Sequence, residues 1–171
     1  PTDQHQRNYQ NARLALLLQI AQSRTGAKYI LYANLFRALD TCGLFTADPE
    51  LQSDAQNSHA LEQHYDLLAK VVRIVGAALL SRGSHNIVQG RKFLTDHRML
   101  VTHTLKRSAG IGGGGTGTGT SNPTLDEKVG DLADALMVVI AATGFLDYEA
   151  DAAILRAGLC AGDIYPMESN M

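Results

Sequence analysis

One long run constrains this chain more than any other. From about Ser58 to Arg82, apolar side chains fall at Leu61, Tyr65, Leu68, Val72, Val75 and Leu79, in alternating steps of four and three. That is the period of an α-helix, not the two-residue alternation of a strand. Leu67, Val71 and Ala78 add a second flank, so the spacing predicts a helix buried on more than one side. Such a helix needs partners around it. Gly76 lies inside it, where glycine costs ~1 kcal/mol against alanine, and this points to close approach by another helix.

The rest of the sequence supplies the partners. A first helix runs from about Asn8 to Ser23, with Leu14, Leu17, Leu18 and Ala21 in register and Leu16 and Ile20 widening the face. Ser23-Arg24-Thr25-Gly26 reads as its stop, with Gly26 free to adopt positive φ. A second helix is expected over about Ala27–Cys42, carrying Ile30, Leu31, Leu35, Ala38, Leu39 and Cys42. So short a connection makes the two an αα-hairpin. On that apolar face, Cys42 reads as a buried structural thiol.

Residues 46–58 are polar and read as a loop. Beyond Gly83 come two shorter patterns, about Ser84–Thr95 and Asp96–Ser108, or one kinked helix. The last strong helix starts at Pro123 or Thr124, where Thr124 and Glu127 have capping-box spacing. Its apolar face is Leu125, Val129, Leu132, Leu136, Val139 and Ile140, and Gly144 stops it. A short helix over about Asp147–Ala157 follows, with Ala153, Ile154 and Ala157 as its buried side.

No strand signal interrupts this series. Leu and Ala together number 45 of 171 residues, aromatics are 6% and Trp is absent, a balance that suits helices. Hydrophobic residues at 45% exclude general disorder. The expected fold is all-α: an α-solenoid of HEAT/armadillo-like antiparallel helix pairs, as a fragment of a larger superhelix. The helices are too many and too unequal for a single bundle. No repeat recurs at a fixed period. The expected organisation is a helical-repeat segment over 1–108, a Gly/Thr-rich flexible loop over 109–122, a continuation of the same solenoid over 123–157 and a loose tail over 158–171. Pro1 in place of Met points to a fragment or a processed product.

The sequence nominates no catalytic, cofactor or metal site. Gly110, Gly112 and Gly115 spell Gly-x-Gly-x-x-Gly, but no strand precedes them and no Walker lysine follows, so the run is a linker. The six histidines make no zinc motif, and Cys42 and Cys160 stand alone. Asp131 and Asp134 form an i, i+3 pair on a polar face, where nothing would separate their pKa values. No apolar run reaches the ~18 residues of a membrane span.

Charge is uneven. Residues 82–122 hold Arg82, Arg91, Lys92, Arg98, Lys106 and Arg107 against Asp96 alone, while residues 123–171 hold nine acidic and two basic side chains. Either the basic stretch lies beside the acidic end of the same molecule, or it is a partner site of one sign. Direct nucleic-acid binding is not expected, because Phe93 is the only aromatic residue there. One aromatic segment stands out at a helix end: Gly144-Phe145-Leu146-Asp147-Tyr148. Either Phe145 folds back on the preceding helix, or the segment is an exposed apolar corner that anchors a partner. Tyr29, Ile30, Tyr32, Asn34 and Phe36 pose the same question.

Two stretches, Asn11–Phe45 and His64–Arg107, carry a resemblance. Arg13-Leu14-Ala15-x-Leu17, Arg24-Thr25-Gly26, Gln89-Gly90-Arg91-Lys92, Leu105-Lys106-Arg107 and Gly144-Phe145-Leu146 are its marks. Together they resemble the C-terminal tail of the largest inner-ring scaffold nucleoporins of the nuclear pore complex, in the fungal form. The Gly/Thr insert at 110–120 departs from that pattern and reads as a lengthened surface loop. The resemblance implies a non-enzymatic scaffold at the nuclear envelope, without cofactor, membrane insertion or direct nucleic-acid contact. It also implies binding to other nucleoporins. Foremost is a short helical segment of the linker nucleoporin that holds the coiled-coil channel trimer, docked by its apolar face. Phe145, Leu146 and Tyr148 are the candidate anchors. The alternative is a helical-repeat adaptor or transport-receptor fragment with a peptide in its groove. An asparagine ladder would favour that, yet Asn34 is the only Asn inside the expected second, third and last long helices.

Overall fold

The computed structural model describes residues 2–46, 58–111 and 122–162. The eight α-helices among them are α1 (Thr2–Ala21), α2 (Arg24–Tyr32), α3 (Leu35–Thr41), α4 (Ser58–Arg82), α5 (Ile87–Asp96), α6 (Arg98–Ser108), α7 (Pro123–Thr143) and α8 (Phe145–Gly162). A 3-10 turn, Gly83–Asn86, joins α4 to α5. The described residues contain no strand, as an all-α solenoid piece requires. The expected loop over 46–58 and the Gly/Thr segment lie almost wholly outside the described residues.

The long run becomes α4, the central element. Tyr65, Leu68, Val72, Val75 and Leu79 are all buried, and Ile74 and Ala78 are buried on another flank. The broadest interface of the molecule joins α4 to α7, with α1 and α2 also on α4, and α5 and α6 also on α7. Gly76 marks the close approach expected of it: a Cβ there would stand 3.0 Å from Val138 Cγ1 and 3.6 Å from Val139 Cγ2. The main core gathers α4, α7, Leu39, Phe45, Phe93, Leu94 and Phe145. A separate, smaller core joins Ala21, Ala27, Ile74 and Ala78, with Leu14, Leu18, Ile30 and Leu31 packed against it.

Several local expectations are corrected. The second helix is two helices, because Asn34 adopts the left-handed region with φ 62°. Asparagine tolerates that conformation better than other Cβ-bearing residues. The break re-aims the chain, so that Ile30 and Leu31 serve the small core while Phe36 and Leu39 serve the main one. Gly26 is not a positive-φ stop. It lies in the first turn of α2, where its N–H donates to Ser23 Oγ at 3.0 Å. Glycine is required there for space, since a Cβ would fall 2.1 Å from the Ile20 carbonyl oxygen.

Cys42 is exposed, not buried: α3 ends at Thr41, and the Cys42 thiol donates back to the Leu39 carbonyl at 3.2 Å. The cap of α7 is Asn122, not Thr124: Asn122 Oδ1 accepts from the N–H groups of Thr124 and Leu125 at 3.2 and 3.4 Å, ahead of Pro123 at N1. Finally, α8 begins at Phe145 and stays helical to Gly162, so residues 158–162 are not a loose tail. Its expected buried side is exposed at Ala153, Ile154 and Ala157. The 62° bend between α7 and α8 explains this, since it turns only the first residues of α8 into the core.

Candidate partner-docking surfaces

The corner between α7 and α8 is built on Gly144, whose φ of 57° ends α7 in the left-handed region. Thr143 Oγ1 donates back to Val139 O at 2.8 Å. Arg91 Nε donates to the Thr143 carbonyl at 2.8 Å, a cation on one of the free carbonyls of a helix C-terminus. The same guanidinium carbon lies 4.7 Å from the Tyr148 ring centroid, a cation–π contact.

The three candidate anchors therefore divide. Phe145 is 8% exposed and belongs to the main core. Leu146 is 67% exposed, and Tyr148, braced by Arg91 and 6.3 Å from the Phe145 ring, is 42% exposed. Further along α8, Ile154, Leu155 and Leu159 are all exposed. The corner thus exposes apolar side chains on two flanks of α8, Leu146 on one and Tyr148, Leu155 and Leu159 on the other.

A second apolar surface escaped the sequence reading. Leu14, Leu17, Ile30, Leu39, Val71 and Ile74 are among the residues lining a groove of about 290 Å³ between α1, α2, α3 and α4. All its lining residues are apolar. No sequence window could show it, because four helices contribute and the break at Asn34 creates its far wall. Of the aromatic segment around residue 30, Ile30 lines the groove, Phe36 packs on the main core, and Tyr29 and Tyr32 face solvent.

The basic stretch meets the acidic end of the same molecule. Arg98 pairs with Glu149 and Arg107 with Asp126 at 3.5 Å, while Lys92 pairs within its own helix with Asp96. Asp66 accepts from Lys70 on its own helix and, across the α4–α7 interface at 3.1 Å, from Lys128. Burial alone would raise the Asp66 carboxyl, but these hydrogen bonds and charges outweigh it and hold the group below the usual carboxylate range. Asp131 belongs to the same seam, 3.5 Å from Arg73, whereas its sequence partner Asp134 is exposed. Burial also pushes the His64 and His97 imidazoles below their ordinary value. Among the described residues no three metal-ligating side chains converge, and no single helix is long and apolar enough to cross a membrane.

An all-α array of packed helices with exposed apolar faces is the architecture of a helical-repeat protein. The chain belongs to the Nup192 family, described as nuclear pore complex scaffold, nucleoporins 186/192/205, whose family model matches residues 2–143. It is similar to Nucleoporin NUP192 of Chaetomium thermophilum, at 51% identity over 167 residues. That similarity covers 84% of this chain and 10% of the relative, so the chain spans about a tenth of the curated protein it matches. Membership places it in the scaffold of the nuclear pore complex, at the nuclear envelope.

Proposed function

We propose that this chain is a non-enzymatic tail segment of the inner-ring scaffold, one that docks a short helical segment of the linker nucleoporin holding the coiled-coil channel trimer. Its part in transport of protein and mRNA is then architectural: it holds a partner in place. The observation that carries the reading is the exposure of Leu146 and Tyr148 on the two flanks of the α7–α8 corner, either side of buried Phe145, with Ile154 further along the Leu146 flank and Leu155 along the Tyr148 flank. An amphipathic helix buries its own apolar face against such a surface, and rim charges set its register.

The test is isothermal titration of the chain with that helical segment. Binding with a negative heat-capacity change is expected, and Leu146→Asp is expected to weaken it at least tenfold with the circular dichroism unchanged. Phe145→Ala is a poor probe by itself, because it removes core volume as well as any anchor. Native affinity in both Leu146→Asp and Tyr148→Ala would remove the corner from the site.

The apolar groove favours a second reading, in which the chain is a helical-repeat adaptor that holds a peptide there. Leu17, 40% exposed on the groove wall, separates the two. If Leu17→Glu abolishes binding while the corner variants do not, docking belongs to the groove.

A further inference from the structure

Another face of α2 borders a different cavity. Lys28, Tyr32, Arg82, His85, Asn86 and Gln89 are among the residues around a polar cleft of about 270 Å³, and no acidic residue lines it. The cations of the basic stretch show why that matters. Lys92, Arg98 and Arg107 have carboxylate partners, Arg91 has the Thr143 carbonyl and the Tyr148 ring, and Lys106 stands in solvent. Arg82 is half-buried, makes no ion pair among the described residues, and has an Nε shielded from solvent with no acceptor. A shielded N–H without an acceptor is costly, more so on a charged group.

Other donors line the same cleft. Lys28 brings a second full charge from α2. Gly83, with φ 62°, starts the 3-10 turn that carries His85 and Asn86 to the rim. Asn86 Nδ2 donates to Gln89 Oε1 at 2.6 Å, which leaves the Gln89 amide nitrogen as a donor. Two fixed positive charges, a guanidinium fork and amide donors, with no carboxylate to neutralise them, suit a doubly charged tetrahedral oxyanion better than a single carboxylate.

We propose that the Arg82–Lys28 cleft is a phosphate-binding site, built for the phosphate group of a phosphorylated serine or threonine side chain or of free phosphate. The site is independent of the docking surfaces of the α7–α8 corner. It makes one face of the scaffold responsive to phosphorylation of whatever lies beside α2.

The experiment follows the Arg82 Nε–H and Gln89 side-chain amide resonances of the 171-residue chain at fixed ionic strength. The probes are inorganic phosphate, acetyl-phosphoserine-amide, acetyl-serine-amide and sodium chloride. Saturable shifts with the two phosphates, and none with the other two, are expected. Arg82→Gln should abolish the response, and Lys28→Gln should weaken it at least fivefold. Tighter binding of acetyl-phosphoserine-amide identifies a side-chain phosphate as the source, and equal binding identifies free phosphate. Shifts that never saturate, an equal response to chloride, or native titration in Lys28→Gln overturns the proposal. Lys28 is exposed, so that variant carries the test even where Arg82→Gln fails to fold.

Discussion

Gly90 and Gly130 both sit inside helices and carry opposite prospects. A Cβ at Gly90 would stand 2.6 Å from Thr143 Cγ2 and 2.9 Å from Leu79 Cδ1, whereas nothing lies within 4 Å of one at Gly130. Thr143 cannot yield easily, because its hydroxyl is tied to the Val139 and Ile140 carbonyls. Gly90→Ala should therefore cost about 1–3 kcal/mol, and Gly130→Ala should stabilise by up to about 1 kcal/mol, both read by urea unfolding. Only Gly76 was legible as a close approach, because its helix was certain; Gly90 stood in a segment whose neighbours the sequence could not name. His97 offers a second test at this scale. It lies between the Phe45 and Phe93 rings, and burial depresses its pKa, against Asp40 and Asp96, which raise it, and with Lys92, which lowers it. Burial also depresses His64. The unfolded imidazole takes its proton near the ordinary value of about 6.5, where the folded one still resists. The unfolded state thus binds more protons below that pH, and stability falls as pH drops from 7 toward 5.5. The melting temperature should fall over that window, and His97→Phe should flatten the slope.

At the scale of elements, boundaries separate what a sequence states from what packing decides. The stripes of α4 and α7 repeat over many turns, so both were legible to within a few residues. The cap of α7 was not: the sequence reading saw only the capping-box spacing of Thr124 and Glu127, while the backbone puts the cap two positions earlier, at Asn122. Asn122→Ala should cost about 1 kcal/mol, and more by losing the 2.7 Å bond from its Nδ2 to Glu62 on α4. Thr124→Ala should be nearly neutral, and thermal denaturation of both variants checks the choice. The break at Asn34 had no turn signal beyond the asparagine itself. The apolar spacing of α8 was real, but spacing records which residues share a face and not whether anything covers it. The candidate anchors show the same limit. Once the helix is known to begin at Phe145, the ~100° step per residue sends Phe145 inward and Leu146 outward; a helix begun at Asp147 hides that division.

For the whole molecule, Phe145 is the clasp that holds α8 to the main core. Phe145→Ala should cost about 3–5 kcal/mol and lower the denaturant midpoint, whatever it does to partner binding. Part of the uneven linear charge resolves into neighbours, Arg98 with Glu149 and Arg107 with Asp126, which tie α6 to α8 and α7. The two cores are unequal. Leucines, valines and aromatics fill the larger, while the seam between α1–α2 and α4 rests on Ala21, Ala27, Ile74 and Ala78, helped by the 2.7 Å bond from Ser81 Oγ to the Ala21 carbonyl. Small side chains bury little area and contribute correspondingly little. Backbone amides of α1 and α2 should exchange with solvent through openings of lower free energy than those of α4 and α7, which native-state hydrogen exchange resolves helix by helix. Under tension such a molecule is not a uniform rod. It is a spring with one soft coil, and strain imposed along the array gathers at the alanine seam before it reaches the α7–α8 corner.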